Sequence, residues 1–397
     1  MYRGGGQVVR RGWMMVVWLL LTGCATIHRP PTTLQQLQQE AMAAGRAEQV
    51  TRDSVLVRLV RRAVARGDKT LEVLMLSGGG QNGAFGAGFL RGWRSRSDVG
   101  LPTFDLVTGI STGALQAPYA LLGTVASLDT LSELYRQAQD RVAPTFDWLF
   151  WLKRTGGLVN TKRYDRTLDE SINGKFSDDL RRAFAAGRQI LFGTTDYDLG
   201  IGRTWSLNDA LDTTAASLTR SRMLLKAATA IPGIFPPVMI DGHVHGDGGV
   251  ITNVLPLLTF NDYERLARLF AERGLRDITM RVYVVMNLWS HAEPKIISPS
   301  SRRQIATRSN YMLFYAHQPQ TLELLDVLAR AVSTGVAGLT VEFRVATLPS
   351  EQALAPGAAR LFDRAFMHHL DSLGFSKARS TSPWDAVPSA YARPSPP

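Results

Sequence analysis

A serine at the centre of a Gly-x-Ser-x-Gly pentapeptide is the first candidate for chemistry in this chain. Residues 109–113 read Gly-Ile-Ser-Thr-Gly, after an apolar segment that begins at Leu106 and before a run of small and apolar residues. At a strand-to-helix junction a sharp turn lifts the serine hydroxyl clear of the sheet, and flanking glycines avoid Cβ clashes with neighbouring backbone. The pattern predicts a nucleophilic Ser111, with a simple tight turn as the alternative.

A glycine-rich stretch, Gly-Gly-Gly-Gln-Asn-Gly at 78–83, follows another apolar segment. Consecutive glycines leave backbone N–H groups free to face an anion, and a following helix N-terminus adds positive charge. Gly78, Gly80 and Gly83 also satisfy Gly-x-Gly-x-x-Gly, the dinucleotide-binding pattern. Asp105 precedes the second predicted strand, whereas a ribose-binding acid belongs at its end, and no Lys-Ser/Thr pair follows the glycines as in a P-loop. Because a candidate nucleophile, Ser111, follows in the chain, the glycine loop is interpreted as an oxyanion hole and not as a nucleotide site.

A serine hydroxyl attacks an ester only when another group removes its proton. Of the seven histidines, four lie where the histidine of a hydrolase triad could stand: His291, His317, His368 and His369. The other candidate is Asp247, because Gly248 and Gly249 after it permit a sharp turn toward the serine. A buried carboxylate can act as base, since burial raises its pKa toward the working pH.

His243, His245 and Asp247 alternate along the chain, so a regular strand would place them on one face, as in a metal site. The glycines at 246, 248 and 249 interrupt such a strand, and the sequence shows no further ligand group. We therefore predict no metal and no cofactor, and interpret the two histidines as polar residues at the rim of the site.

Strands and helices that alternate along the chain must position these residues. Apolar runs predict strands at 71–76, 106–110, 189–194, 238–240, 281–286 and 340–346. Helical periodicity and small-residue runs predict helices at 53–66, 83–95, from 113 onward, and at 127–139, 163–172, 220–230, 255–273, 320–335 and 356–373. This alternation predicts an α/β fold with a mostly parallel central sheet covered on both faces.

Three blocks resemble the signature motifs of the patatin-like phospholipases. They are Ser-Gly-Gly-Gly-Gln-Asn-Gly-Ala-Phe-Gly-Ala-Gly (77–88), Gly-Ile-Ser-Thr-Gly-Ala-Leu (109–115) and Asp-Gly-Gly-Val-Ile-Thr-Asn-Val-Leu-Pro (247–256), in the family's order. Residues 228–237 also resemble that family, so the resemblance covers 73–256. It implies a three-layer α/β/α sandwich and cleavage of lipid acyl esters by a Ser–Asp dyad without a metal.

Carried over residue by residue, the resemblance implies that Ser111 is the nucleophile and Asp247 the general base. Backbone amides around Gly78, Gly79 and Gly80 would form the oxyanion hole, and the remaining motif glycines would support the turns: Gly83, Gly109, Gly113, Gly248 and Gly249. The expected activity is that of a phospholipase A or lysophospholipase. A lipid acyltransferase on the same dyad, a catalytically silent lipid-binding or assembly lipoprotein, and a histidine-dependent α/β-hydrolase are the alternatives.

The amino terminus has the pattern of an export signal. Three arginines precede nine apolar residues, Trp13 to Leu21, which are too few to span a bilayer because a spanning helix needs about 20. Leu-Thr-Gly-Cys at 21–24 resembles a bacterial lipobox, which predicts a signal peptide at 1–23 and an acylated Cys24. The predicted location is a bacterial membrane, the periplasmic face of the outer membrane if there are two; a free or buried thiol is the alternative.

The composition of the chain excludes several classes of protein. Hydrophobic residues at 45% exclude a disordered chain, and a single cysteine excludes an intramolecular disulfide framework. The net charge of +11 comes from scattered basic residues and does not decide between nucleic acid and an anionic membrane surface. The family resemblance and the lipobox imply a lipid substrate, a membrane partner through Cys24 and no nucleic acid. The predicted domains are a tether and leading helix at 24–70, a catalytic domain at 71–379 and a disordered Pro-rich tail at 380–397.

A dense aromatic and aliphatic run precedes Lys153 and Arg154: Phe146, Trp148, Leu149, Phe150 and Trp151. It could form a lid that contacts acyl chains or the membrane interface, with the two cations toward lipid phosphates. Because these five residues offer no polar face, we favour core packing.

Overall fold

The computed structural model describes residues 31–146, 156–172, 174–389 and 391. The strands within these ranges are β1 (Thr70–Leu76), β2 (Leu106–Ile110), β3 (Thr145–Phe146), β4 (Val159–Asn160), β5 (Gln189–Asp196), β6 (Ile201–Ser206), β7 (Val238–Ile240), β8 (His243–Asp247), β9 (Ile278–Met286) and β10 (Leu339–Thr347). The helices are α1 (Leu34–Arg66), α2 (Gly83–Arg94), α3 (Thr112–Leu122), α4 (Val125–Arg136), α5 (Ala138–Arg141), α6 (Lys162–Ser171), α7 (Gly174–Ala185), α8 (Leu207–Ala210), α9 (Ala215–Ala228), α10 (Phe260–Ala271), α11 (Arg302–Gly335) and α12 (Arg364–Arg379).

The central sheet has the strand order β10-β9-β1-β2-β5-β8-β7, with β6 also paired to β5. The first five strands in this order run parallel, whereas β6 and β8 pair antiparallel to β5, and β7 pairs antiparallel to β8. The predicted α/β fold with a mostly parallel sheet is therefore confirmed. The antiparallel part of the sheet consists of β6 and β8, which pair with β5, and of β7, which pairs with β8. Strands β6 and β8 were not predicted.

Both faces of the sheet are covered, which gives the three layers. Leu74 and Leu76 of β1 pack in one hydrophobic cluster with α2, α3, α4, α9 and α12, while Val73 and Met75 pack in a second cluster with α1, α10 and the later turns of α11. Strands buried on both faces need apolar residues at nearly every position, which is why β1 and β2 are continuous apolar runs.

Helix α1 begins at Leu34, well before the predicted start at 53. Thr33 caps it in a capping box with Gln36, and the helix ends at Gly67, which adopts a left-handed conformation (φ 64°). The leading helix predicted within 24–70 is thus present, but the tether predicted before it is wrong from residue 34 onward, because this Gln-, Ala- and Glu-rich stretch consists largely of helix-favouring residues.

Two further predictions need correction. Helix α11 begins at Arg302 and continues through Pro319, whereas the prediction began only after this proline. The predicted disorder is wrong for 380–389: the Trp384 ring lies 5.0 Å from that of Trp93, and Asp385 Oδ2 accepts a hydrogen bond from the Thr347 amide at 2.7 Å. A buried aromatic contact and an anchored carboxylate hold this segment against the domain.

Several predictions concern residues outside the described ranges. They include the signal peptide, Cys24 and the aromatic run at 148–151; Phe146, the first residue of that run, is 49% exposed, contrary to the core packing expected for it. No helix within the described ranges is long and apolar enough to cross a membrane.

Candidate active site

Ser111 occupies the sharp turn between β2 and α3. It has φ 52° and ψ −122°, a left-handed φ that is rare for a residue with a side chain, and it is the N-cap of α3. Such backbone strain costs on the order of 1–3 kcal/mol and is concentrated at functional sites. A Cβ at Gly113 would lie 2.2 Å from the Leu76 carbonyl oxygen, so the elbow packs directly on the end of β1 and tolerates no side chain there.

The register of β5 brings Asp247 beside this elbow. Strand β6 pairs with one edge of β5, so β2 and β8 both pair with the opposite edge. In β2 the last paired residue, Ile110, lies opposite Gly193, and in β8 Asp247 lies opposite the next residue, Thr194. The end of β8 therefore meets the end of β2, and the residue after Ile110 faces Asp247.

The two side chains form a buried hydrogen bond. Ser111 Oγ donates to Asp247 Oδ2 at 2.6 Å, and Asp247 Oδ1 accepts from the Gly249 amide at 2.8 Å. Burial raises the pKa of Asp247 to about 6, although the hydrogen bonds from Ser111 and Gly249 act in the opposite direction. The carboxylate is thus ionised at neutral pH and basic enough to accept a proton from the serine.

No histidine within the described ranges hydrogen-bonds to Ser111. His291 lies with Nδ1 2.9 Å from Ser290 Oγ and Nε2 2.7 Å from the Ser389 carbonyl oxygen, and His369 Nε2 lies 2.8 Å from Gln352 Oε1. These contacts occupy the rings elsewhere, so the geometry favours the carboxylate over a histidine as partner of the serine.

The glycine loop lies against the same elbow. A Cβ at Gly78 would lie 3.1 Å from Ser111 Cβ, and a Cβ at Gly79 would lie 2.1 Å from the Asn287 carbonyl oxygen. The Gly78 N–H donates to the Asn253 carbonyl oxygen at 3.1 Å, so the expectation that it faces the oxyanion is wrong. Within the described part of the chain, the N–H groups of Gly79 and Gly80 have no protein acceptor, which leaves these two for an anion.

A narrow apolar pocket opens on one side of Ser111. Its lining comes from α3 to α7, α9 and nearby loops and includes Leu115, Tyr119, Leu131, Leu134, Ala138, Leu168, Ile172, Phe176, Leu225 and Phe235. Hydrophobic residues dominate this lining, and the few polar ones are hydroxyl-bearing side chains. Such a pocket suits a hydrocarbon chain.

A wider cleft, with both polar and apolar residues in its lining, opens on the other side. It measures about 1220 Å³ and shares Gly80, Ser111 and Ile231 with the apolar pocket. Its walls include Asp247, Asn253 and residues from the segments 288–315 and 353–361. The serine hydroxyl therefore lies where the narrow apolar pocket meets the wider cleft.

The family model described as "Patatin-like phospholipase" matches residues 74–260, which contain the glycine loop, Ser111 and Asp247. Residues 74–260 belong to the patatin-like phospholipase family. No curated protein matches the chain. Among solved structures, VipD from Legionella pneumophila is similar over 78% of this chain and 66% of its own, with 13% identity and a TM-score of 0.31.

The family whose model matches residues 74–260 is one of phospholipases, enzymes that hydrolyse acyl esters of lipids. The glycine loop is held by residues that sequence analysis missed. Asn287, directly after β9, donates from its amide to Ser77 Oγ at 2.7 Å and from Nδ2 to the Ser77 carbonyl oxygen at 2.8 Å. Gln116 of α3 donates to the Gly83 carbonyl oxygen at 2.7 Å. A polar residue at the carboxyl end of a buried strand was the available signal for Asn287.

Asn253, which belongs to the third motif block at 247–256, connects two loops of the site. It accepts from the Gly78 amide through its carbonyl oxygen, and its Nδ2 lies 2.8 Å from Gln318 Oε1 and 3.4 Å from the Gly78 carbonyl oxygen. Asn253 therefore joins the aspartate loop of the patatin-like domain to its glycine loop.

The side chains of the domain that could hold a metal ion form a separate group. Asp196, His243 and His245 have potential ligand atoms within 4.8 Å of one another. Asp196 is remote from the two histidines in the chain, so the local spacing did not indicate it as a further ligand. Asp247, in contrast, lies outside this group and pairs with Ser111.

Hydrogen bonds already engage this group. His243 Nδ1 lies 2.8 Å from Asp196 Oδ2 and Nε2 lies 2.9 Å from Glu40 Oε2, while Arg203 Nη1 lies 3.8 Å from Asp196 Oδ2. Burial lowers the pKa of His245 to about 4, with Asp196 opposing the shift, so this ring is neutral. Burial also lowers the pKa of His243, but the hydrogen bonds to Asp196 and Glu40 outweigh it and raise the pKa overall. Through these hydrogen bonds the group connects α1 to β5 and β8.

Proposed function

We propose that this protein hydrolyses acyl esters of phospholipids or lysophospholipids with Ser111 as nucleophile and Asp247 as general base. The observation that carries the proposal is the 2.6 Å hydrogen bond between the two, formed where an apolar pocket meets an open cleft. The family match supports the class of reaction.

In the first half-reaction, Asp247 Oδ2 takes the Ser111 proton as Oγ attacks the ester carbonyl carbon. The tetrahedral intermediate collapses to an acyl-serine, and the protonated carboxyl group returns its proton to the departing alcohol oxygen. Because the pKa of Asp247 is raised to about 6, the group can both accept and return a proton near neutral pH.

Backbone N–H groups would stabilise the negative charge on the carbonyl oxygen. Gly79 and Gly80 supply two, and Thr112, the first residue of α3, presents a further N–H at a helix N-terminus beside the nucleophile. Removal of one such donor typically raises the activation barrier by about 3–4 kcal/mol.

In the second half-reaction, water attacks the acyl-serine from the cleft while Asp247 again serves as base. The acyl chain stays in the apolar pocket, where exposure of its methylenes to water is avoided. The alcohol product leaves through the cleft, which is open to solvent.

We further propose that the mature protein is exported and attached to a bacterial membrane through acylated Cys24. Nine residues lie between Cys24 and the start of α1 at Leu34, so the two are at most about 35 Å apart along a fully extended chain. This length would keep the domain within one molecular diameter of its lipid substrates.

Labelling with a fluorophosphonate probe tests the dyad. We expect the wild-type protein to hydrolyse phospholipid or lysophospholipid in detergent micelles and to become covalently labelled, and Ser111→Ala to lose both properties. Ser127→Ala is the matched control, because Ser127 is 7% exposed, as Ser111 is, but binds the Tyr119 carbonyl oxygen away from the cleft. Retained hydrolysis by Ser111→Ala would show that another residue is the nucleophile.

A further inference from the structure

Part of the cleft wall is formed by residues after 260, outside the region that the family model matches, and this part carries unpaired positive charge. Lys295 and Arg303 line the cleft from the segment before α11 and from its first turn. Both side chains are exposed, and neither has an acidic partner among the residues that the structure describes. Two uncompensated cations on one wall create a local positive potential facing the site.

The acidic groups of the cleft are already occupied. Glu293 Oε1 lies 3.4 Å from Arg308 Nη1, and Glu293 Oε2 accepts a hydrogen bond from Tyr311 Oη at 2.8 Å. Asp247 is engaged by Ser111. The cleft therefore offers no free carboxylate to a cationic group of a substrate.

Its aromatic rings are engaged as well. The Trp289 and Tyr315 rings stack on each other with centroids 6.1 Å apart, and the Arg308 guanidinium lies over the Tyr311 ring at 5.5 Å. A quaternary ammonium is usually held by free aromatic faces. Within the described lining, these rings already have partners.

We propose that Lys295 and Arg303 bind the phosphate of an anionic phospholipid headgroup and make the enzyme selective for net-negative over zwitterionic lipids. This inference rests on the proposed function, since the scissile ester must lie at Ser111 with its acyl chain in the apolar pocket. The glycerol and headgroup then extend into the cleft, toward the two cations. Guanidinium and ammonium groups are the usual protein partners of phosphate oxygens.

Short-chain lipids below their critical micelle concentration test the inference, because monomers present no charged interface. We compare dihexanoyl phosphatidylglycerol, which is anionic, with dihexanoyl phosphatidylcholine, and divide each rate by that on neutral p-nitrophenyl hexanoate with the same variant. The wild type should have the lower KM for phosphatidylglycerol. Lys295→Ala and Arg303→Ala should each raise that KM about two- to fivefold, as expected for a partly solvated charge pair.

Arg302→Ala is the matched control. It removes a neighbouring exposed arginine of the same helix turn that does not line the cleft, so the ratio of the two KM values should stay at the wild-type value. Equal KM values for the two lipids in the wild type, or an equal effect of Arg302→Ala and Arg303→Ala, would overturn the inference.

Calorimetry on Ser111→Ala separates this inference from the hydrolase proposal, because binding needs no turnover. Phosphatidylglycerol should bind more tightly than phosphatidylcholine and more tightly than inorganic phosphate. Phosphate binding as tightly as the lipid would point to a free-phosphate site instead. If the wild type cleaves none of the three esters, the hydrolase proposal fails, and the calorimetric comparison still decides headgroup selectivity.

Discussion

Gly78 and Asn253 hydrogen-bond to each other in both directions: the Gly78 amide donates to the Asn253 carbonyl oxygen at 3.1 Å, and Asn253 Nδ2 approaches the Gly78 carbonyl oxygen at 3.4 Å. This contact joins the loop that follows β1 to the loop that carries Asp247. The position of the free Gly79 and Gly80 amides relative to Ser111 therefore depends on a residue outside the dyad.

Replacement of Asn253 by alanine should lower kcat by about tenfold to a hundredfold with a smaller change in KM, because a displacement of about 1 Å in a catalytic group can cost this much. Steady-state kinetics on p-nitrophenyl butyrate would separate the effect on kcat from the effect on KM. Asn310→Ala is the control, an exposed asparagine of α11. An unchanged kcat, or an effect confined to KM, would contradict a positioning role.

The pH dependence follows from the environment of Asp247. Burial raises the pKa of this carboxyl group to about 6, and only the ionised form can accept the serine proton. We expect kcat/KM to fall about tenfold per pH unit below pH 6 and to level off above pH 7. A pH–rate profile from pH 4 to 9 checks this. A plateau that extends down to pH 4.5 would mean that the catalytic base is another group.

The same raised pKa predicts a stability effect. In the unfolded chain Asp247 ionises near its ordinary pKa of 3.8, and in the folded protein near 6, so ionisation costs the folded state stability as the pH rises between these values. Asp247→Asn avoids this cost and should increase the free energy of unfolding at pH 7 by up to about 3 kcal/mol while abolishing hydrolysis.

Urea unfolding at pH 4 and pH 7 measures this effect. The stability advantage of Asp247→Asn should be larger at pH 7 than at pH 4. An advantage that is the same at both values would show that it does not come from the ionisation of Asp247.

A buried carboxylate anchors α1 to the sheet. Asp105, with a fully buried side chain, lies 2.6 Å from Arg62 Nε and 2.7 Å from Arg66 Nη1. Asp105→Asn should lower the free energy of unfolding by about 3–5 kcal/mol, because it removes the buried carboxylate that compensates both arginines, of which Arg62 has a side chain only 9% exposed. Asp209→Asn is the control, since Asp209 pairs with Arg58 of the same helix but is 57% exposed. Equal losses for the two variants would contradict the role of burial.

The apolar pocket should determine acyl chain length. Ala138 lines it, and phenylalanine at this position would occupy part of its volume. Ala138→Phe should lower activity on long-chain p-nitrophenyl esters relative to the butyrate ester. The exposed Ala126, on the neighbouring helix, provides the control Ala126→Phe. An unaltered chain-length profile would place the acyl chain elsewhere.

Local patterns predicted those parts of the fold that are buried on both sides. Strands β1 and β2 agree with the predicted segments to within one residue, because a strand covered on both faces must be apolar throughout. Strand β6, which is largely half-exposed, and β8, which has two histidines and a glycine in five residues, lack such a run and were missed.

Local motifs also indicated Ser111 and Asp247, but their meeting depends on the pairing of β2 and β8 with the same edge of β5. Strand register is a property of the whole sheet and cannot be deduced from either motif. Gln116 carries no local signature, and the only local signal for Asn287 is its position at the carboxyl end of a buried strand. Asp105, which does not match a ribose ligand in the sequence, proves to be the buried anchor of α1.

The position of Ser111 at the meeting point of two compartments separates the routes of the two products. Once the acyl group is covalently attached and its chain lies in the apolar pocket, the alcohol product can leave only through the cleft. The next nucleophile must enter through that same opening. Water and any hydroxyl-bearing molecule that fits the cleft therefore compete for the carbonyl carbon of the acyl-serine. This competition decides whether the acyl group is hydrolysed or transferred.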